Sequence, residues 1–376
     1  MLTSRLSRLD QLMASAKLEM VLLNPGPTMT YLTGLHFHLM ERPTLLVYRR
    51  GEQPLLILPE LEAVKLSGTS MPMTVSMFGD DPATWAGVFD QALHQYQQNK
   101  QTIGVEANRL RFLELDFVRK ALPKAEFIAA DAVIGGLRLQ KDAEEIACMR
   151  QAVLIAQKAL QATLPSIKIG VTEQQIASEL IIQLYRAGSS AELPFAPIVA
   201  AGENSANPHA TPSSRKIKRG DLVLIDWGAS YNDYFSDLTR TFAIGEIDPQ
   251  LASFYNAVFA ANQAGRAAGK PGQPAGAVDD AARAQIKQAG FEKLFNHRTG
   301  HGLGMEAHEP PYMFGGNPLV LQPGMTYTVE PGVYLEGLGG VRIEDDMLVT
   351  SEGSASLSDF PRELHILQSR YLFLEE

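Results

Sequence analysis

One cysteine, Cys148, in 376 residues leaves no partner for an internal disulfide, and no Cys/His cluster of zinc-finger type accompanies it. Such thiol usage fits a reducing compartment, and a cytoplasmic location is expected. Long hydrophobic runs are missing too. No apolar stretch approaches the ~20 residues needed to span a bilayer. The N-terminal segment lacks the continuous apolar core and small-residue cleavage site of a secretory signal. Positive charge is in deficit: the formal net charge is −9. Its field repels nucleic acid and anionic membrane, so neither is expected as a partner. The basic run Arg215–Arg219 is short and reads as a solvated turn before a strand. Tandem repeats and low-complexity tracts are also lacking.

What is present is the balance of an ordinary soluble globular protein, 45% hydrophobic and 20% charged. The length suggests two or three domains. In the first ~130 residues short strands alternate with helices. Met20–Leu23 reads as a strand, Thr44–Tyr48 and Leu55–Leu58 as a hairpin around Arg50-Gly51-Glu52, Ile103–Val105 as a further strand and Leu110–Leu122 as a helix. Asp131–Lys141 is the expected linker, which divides the chain into domains at 1–132 and 133–376. Asp142 with Glu145 then forms a capping box, and Ile146, Met149, Val153, Ala156, Leu160 and Leu164 line one helix face up to Pro165. Thr172 with Gln175 starts a second helix that Gly188 ends. Helices are also expected over Ala252–Ala268 and Val278–Gly290.

The informative acids lie in the C-terminal half. An apolar strand, Leu222–Ile225, runs into Asp226, and the returning strand Phe235–Phe242 carries Asp237. A hairpin centred on Tyr231 and Asn232 would set the two aspartates opposite each other, where like charges destabilise a sheet. Met325–Val329 and Val341–Ile343 repeat the pattern with Glu330 and Glu344, opposite each other about Gly337. Between the hairpins lies Gly300-His301-Gly302-Leu303-Gly304, an imidazole flanked by glycines that permit close backbone approach. Four carboxylates and one imidazole suit a pair of divalent cations. Such an oxygen-rich set favours manganese, with cobalt, zinc or iron as alternatives, over copper or a thiolate-type zinc site. Either acidic pair alone would read as hairpin acids facing solvent.

These segments resemble the pita-bread metallopeptidases: prolidase, aminopeptidase P and methionine aminopeptidase, with creatinase as a metal-free relative. The resemblance rests on Ile225-Asp226-Trp227-Gly228, on 236–242, on 299–304, on Thr328-Val329-Glu330-Pro331-Gly332 and on 340–345. It implies an α/β N-terminal creatinase-like domain followed by an α+β C-terminal pita-bread domain with an antiparallel sheet and two helix pairs. It also implies two divalent metal ions per chain held by Asp226, Asp237, His301, Glu330 and Glu344, and a homodimer. His209, in Asn207-Pro208-His209, and His308, in Ala307-His308-Glu309, match the family's two active-site histidines that are not ligands.

The implied chemistry is hydrolysis of the bond before proline by metal-activated hydroxide, with Glu330 as general base. His209 and His308 would serve the oxyanion or the departing nitrogen, in either order. Phe195 is either a core aromatic or an apolar wall for the proline ring. Arg342 shares a strand face with Glu344 and either binds Asp237 or steers the substrate.

Dipeptides or short peptides containing proline are the expected substrates. A strict dipeptidase needs a cation for the proline carboxylate; where some prolidases carry an arginine after the second active-site histidine, this chain has Tyr312. His36, His38 or Arg42 could supply that contact, because 31–42 resembles a loop that narrows the site from the partner subunit in bacterial prolidases. Xaa-Pro dipeptidase is therefore the expected activity, ahead of aminopeptidase P acting on longer peptides and of a non-enzymatic pita-bread binding protein.

Overall fold

Four consecutive apolar residues, Met20–Leu23, are buried along their whole length, as a strand covered on both faces requires. The computed structural model describes residues 2–97 and 100–367. This first strand, β1, sits inside a mixed sheet with β2 (Leu45–Arg49), β3 (Leu55–Pro59), β4 (Thr74–Phe78), β5 (Thr102–Val105) and β6 (Glu126–Ala129), in the order β4-β3-β2-β1-β5-β6. β2 and β3 form the expected antiparallel hairpin, and Gly51 takes a φ of 77° in the turn between them. The helices of this unit are α1 (Leu2–Ser15), α2 (Pro27–Thr33), α3 (Pro82–Leu93), α4 (Phe112–Ala121) and α5 (Asp131–Arg138). Trp85, Phe89 and Leu93 of α3 and Val118 of α4 pack on Met20, Leu22, Val47 and Ile57 of the sheet.

The segment expected to be a linker is largely helix. Val133, Ile134 and Leu137 of α5 are buried, and Arg8 of α1 donates to the carbonyl of Gly136 at 3.1 Å. The helix therefore belongs to the first unit, and the chain divides between Arg138 and Leu139 rather than at 132/133.

In the second unit α6 (Ala143–Thr163) begins with the capping box, Asp142 accepting from the Glu144 and Glu145 amides while Glu145 reaches back to the Asp142 amide. Thr172 and Gln175 repeat the device at α7 (Glu173–Ala187), and Gly188 closes it in the left-handed conformation. α7 packs on α6, and α8 (Pro249–Ala268) on α9 (Gly276–Gln288), which gives the two expected helix pairs.

The strands are β7 (Ile198–Ala201), β8 (Leu222–Trp227), β9 (Ser230–Tyr231), β10 (Tyr234–Phe235), β11 (Leu238–Ile244), β12 (Gly300–Gly302), β13 (Glu309–Met313), β14 (Thr326–Val329), β15 (Gly332–Leu335), β16 (Gly339–Arg342), β17 (Asp345–Val349), β18 (Ser354–Ser356) and β19 (His365–Leu367). Two larger sheets run β19-β11-β8-β7 and β13-β12-β14-β17-β18, and β9-β10 and β15-β16 are short ribbons. Pairing is antiparallel throughout except between β11 and β19. Arg215, read as part of a solvated turn, instead makes a two-pronged ion pair with Asp221 at 2.7 and 2.9 Å.

A buried ion pair ties the two sheets together. Arg240 of β11 donates to the Asp345 carboxylate of β17 at 2.8 Å and to the Glu344 carbonyl at 2.6 Å. Asp345 also accepts from Arg362 at 2.6 Å and Ser358 at 2.7 Å. Although burial opposes its charge, Arg240 and Arg362 hold its carboxyl far below the ordinary range. Removing one member of such a pair strands the other in the interior, at a cost of about 3–5 kcal/mol.

Asp345→Asn is thus expected to lower unfolding stability by roughly that amount at pH 7. A depressed carboxyl contributes fully above its unfolded value and loses its contribution as pH falls toward its folded one. The gap between wild type and variant in urea denaturation should therefore be narrower at pH 3 than at pH 7. Equal gaps would show that the Asp345 charge is not the source of the stability.

Candidate metal centre and cavity

Asp226 is near the end of β8, and the hairpin that follows sets what faces it. Asn232 and Asp233 both take positive φ, 47° and 69°. This is the two-residue turn that asparagine and aspartate tolerate. Tyr231 consequently pairs with Tyr234, and Asp226 faces Thr239. The expected direct opposition of Asp226 and Asp237 is corrected: the hairpin centre lies one residue farther along. Asp237 comes two residues before the partner of Asp226, on the same face and diagonal to it. Its amide donates to Asp346 at 3.1 Å.

The glutamates follow the expected register. Val329 pairs with Asp345 on one side of them and Gly332 with Arg342 on the other, so Glu330 and Glu344 stand opposite each other in the gap. Neither amide donates to the other strand there. Glu330 donates to the Thr299 carbonyl at 2.8 Å and Glu344 to the Thr239 carbonyl at 3.1 Å, which opens the ladder at the acidic pair.

His301 enters from β12. A Cβ on Gly300 would come within 1.9 Å of the Thr328 carbonyl oxygen, and one on Gly302 within 2.3 Å of the Pro310 oxygen, so both positions must be glycine. His301 Nδ1 lies 3.1 Å from the Gly302 carbonyl. Nε2 is 3.2 Å from Glu330 Oε1 and 3.8 Å from Asp237 Oδ2. Without a cation Nε2–H donates to Glu330; with Nδ1–H on the carbonyl instead, the Nε2 lone pair would be free for a metal.

Three overlapping groups result: Asp226, Asp237 and Glu344; His301, Glu330 and Glu344; and Asp237, His301 and His308, each with donor atoms within 4.8 Å of one another. Burial first, then the neighbouring carboxylates, push Asp237 and Glu344 well above the ordinary carboxylate range. Burial raises Asp226 too, against the pull of Arg342. Burial also opposes the charge of Glu330, but His301, His297 and Arg342 outweigh it and bring it down to about 2.

Arg342 does not reach for Asp237. Its Nη2 donates to Asp226 Oδ2 at 2.6 Å, its Nε to Thr239 Oγ1 at 3.1 Å and its Nη1 to the Tyr334 hydroxyl at 3.0 Å. That leaves Asp226 Oδ1 buried without a hydrogen-bond partner. Such an atom is costly unless something positive meets it. The donor set, the close carboxylates and this orphaned oxygen together fit divalent cations.

The cluster opens on a cavity of about 490 Å³, lined also by Phe195, His209, His297, Arg298 and His308. The His308 ring lies 3.8 Å from that of His301. Burial, then His301, Arg298 and His209, lower His308 to about 4, so it is neutral near pH 7. Its neighbour Glu309 is pinned by buried Lys141 at 2.6 Å. His297 lies 3.0 Å from the Tyr334 hydroxyl, itself bonded to Arg342.

Tyr312 is not on the cavity wall. It sits opposite His301 on β13 with the Arg298 guanidinium over its ring. His36 and His38 belong to the first unit, in the coil after α2. His297, Arg298 and Tyr334 were missed by the sequence reading. Their signal was adjacency to the 299–304 segment for the first two, and for Tyr334 a place between the two glutamates.

Buried carboxylates and an imidazole gathered on a cavity define the chain as a protein equipped to hold divalent cations. Residues 147–351 match metallopeptidase family M24, and residues 5–140 match the creatinase/prolidase N-terminal domain. The chain belongs to the M24 metallopeptidases, with the creatinase-like and pita-bread domain pair expected for it. It is 37% identical over 315 residues to an Xaa-Pro dipeptidase of Pyrococcus furiosus, covering 84% of this chain and 87% of the relative. A dipeptidase structure from Pyrococcus horikoshii matches with a TM-score of 0.90 and 35% identity, over 96% of this chain and 100% of the other. A prolidase structure from Thermococcus sibiricus gives 0.91 and 31%, over 98% and 99%. Among the described residues no helix is long and apolar enough to cross a membrane.

Because Asp237 and Glu344 have raised values, the folded metal-free protein retains protons that the unfolded chain releases. Its stability is therefore expected to fall as pH rises above about 4. Melting temperatures in chelator should be lower at pH 8 than at pH 5, and Glu344→Gln should raise the pH 8 value. A metal-free variant no more stable than wild type at pH 8 would mean that repulsion at Glu344 is not limiting.

Proposed function

We propose that this chain is a metal-dependent Xaa-Pro dipeptidase, hydrolysing the bond before a C-terminal proline. The observation that carries the reading is His308 on the same cavity as five ligand-type side chains, its ring 3.8 Å from that of His301. Membership of the M24 family and likeness to proteins named Xaa-Pro dipeptidase support it. Asp226, Asp237 and Glu344 would hold one cation, and His301, Glu330 and Glu344 the other. Two such ions, when bound, supply Lewis acidity and hydroxide near neutral pH. Manganese is the ion the oxygen-rich donors favour. A homodimer and a cytoplasmic location complete the proposal, the first from the family resemblance and the second from thiol usage.

The residues of the chain divide the remaining work. Glu330, beside His301 at the edge of both groups of ligands, is the carboxylate placed to take up the proton of the attacking water. As a neutral imidazole, His308 donates a hydrogen bond to the carbonyl oxygen as it gains charge. His209, on the lining of the same cavity, serves the departing imino nitrogen. Phe195 offers an apolar wall to the proline ring. Arg342 orients Asp226 by occupying one of its oxygens, and its charge pulls against the burial that raises that carboxyl.

Chelated protein reloaded with manganese is expected to cleave an Xaa-Pro dipeptide and not the matched Xaa-Pro-Yaa tripeptide. Cleavage of the tripeptide would move the assignment to an aminopeptidase P, and cleavage of neither by loaded protein would overturn the peptidase reading. His308→Ala should bind manganese as wild type does while turnover drops about 10²–10³-fold. Unchanged turnover in that variant would remove His308 from the oxyanion.

A further inference from the structure

We infer that Asn262 of α8 is a positioning residue for the metal centre, clamping the backbone on either side of Glu330 and Glu344 so that the two carboxylates stay opposite each other. The inference rests on the two-cation reading. The Asn262 amide nitrogen donates to the Val329 carbonyl at 3.0 Å, to the Ile343 carbonyl at 3.2 Å and to Asp345 Oδ2 at 3.2 Å. These acceptors belong to the residue before Glu330, the residue before Glu344 and the residue after Glu344. One –NH2 group therefore spans the gap between the β14–β17 and β15–β16 pairings, where the two glutamates stand.

Residue type explains why a side chain is needed there. In the register set by Val329 with Asp345 and Gly332 with Arg342, Pro331 falls opposite Ile343. Proline has no N–H to give the Ile343 carbonyl. α8 runs close enough to supply the donor: a Cβ on Gly265, one turn beyond Asn262, would come within 2.9 Å of Val329 Cγ1. Asn262 is 1% exposed, and its Oδ1 is buried without a hydrogen-bond partner among the described residues. Turning the amide over would set that oxygen against three acceptors, so the orientation of the clamp is fixed.

The two ligand groups depend on it unequally. Asp226, Asp237 and Glu344 take one member from the clamped pair, whereas His301, Glu330 and Glu344 take two. Side chains that orient metal ligands are typically worth about 10- to 100-fold in metal affinity. Loss of Asn262 therefore falls on the ion held by Glu330.

The test is calorimetric titration of chelated protein with manganese, with electron paramagnetic resonance reporting whether two ions sit as a coupled pair. Wild type should take up two ions per chain. Asn262→Ala should weaken one of them by about 10- to 100-fold, leave the other near wild type, and need correspondingly more manganese to show the coupled-pair signal. Asn262→Gln, which keeps the –NH2 on a longer arm, should recover part of the loss. Ile176→Val, a buried change on α7, should lower the melting temperature yet bind both ions as wild type does. Equal weakening of both ions in Asn262→Ala, no weakening of either, or the same selective loss in Ile176→Val would overturn the clamp. Should Asn262→Ala fail to fold, Asn262→Asp has the same shape and should show the selective loss; wild-type affinity for both ions in that variant would overturn the clamp equally. A wild type that takes up one ion or none would sink the two-cation reading, and the clamp with it.

Discussion

Four carboxylates packed into a buried space repel one another, and most of the second unit is organised around that repulsion. Each acid arrives on a different segment, and each segment is held by contacts other than those among the acids. Asp226 is restrained by Arg342, Asp237 by Asp346 behind its amide, Glu330 by Thr299 and Glu344 by Thr239. The Arg240–Asp345 pair, one residue beyond Glu344, binds the two sheets from the opposite side. The scaffold thus meets the electrostatic cost of the cluster with hydrogen bonds and one deep ion pair, and remains ready for cations.

The sequence revealed much of this because hairpin arithmetic and residue type act together. The glutamate pair fell in its observed register since Gly337, with a φ of 78°, marks the turn without ambiguity. The aspartate hairpin slipped by one position because Tyr231, Asn232 and Asp233 offer two plausible centres, and only the positive φ of both Asn232 and Asp233 decides between them. Asp131–Lys141 carries Gly135 and Gly136 at its centre, and paired glycines weigh against a helix. Val133, Ile134 and Leu137 nevertheless suffice to bury one face of two helical turns.

Arg298 and Tyr334 were illegible for another reason. Neither belongs to a periodic pattern, and their partners, Tyr312 for Arg298, and Arg342 and His297 for Tyr334, lie on other segments, so only tertiary proximity gives them meaning. Arg342 was expected either to bind Asp237 or to steer the substrate, and the carboxylate it meets is Asp226.

The separation of the donors along the chain has a further consequence. From Asp226 to Glu344 the clustered residues enclose well over a hundred positions, in a protein whose single cysteine allows no covalent cross-link. Any ion that joins them closes several long loops at once, and closing such loops restricts the unfolded chain much as a disulfide does. The centre is in that sense also a reversible staple, one whose fastening depends on ion supply instead of redox state.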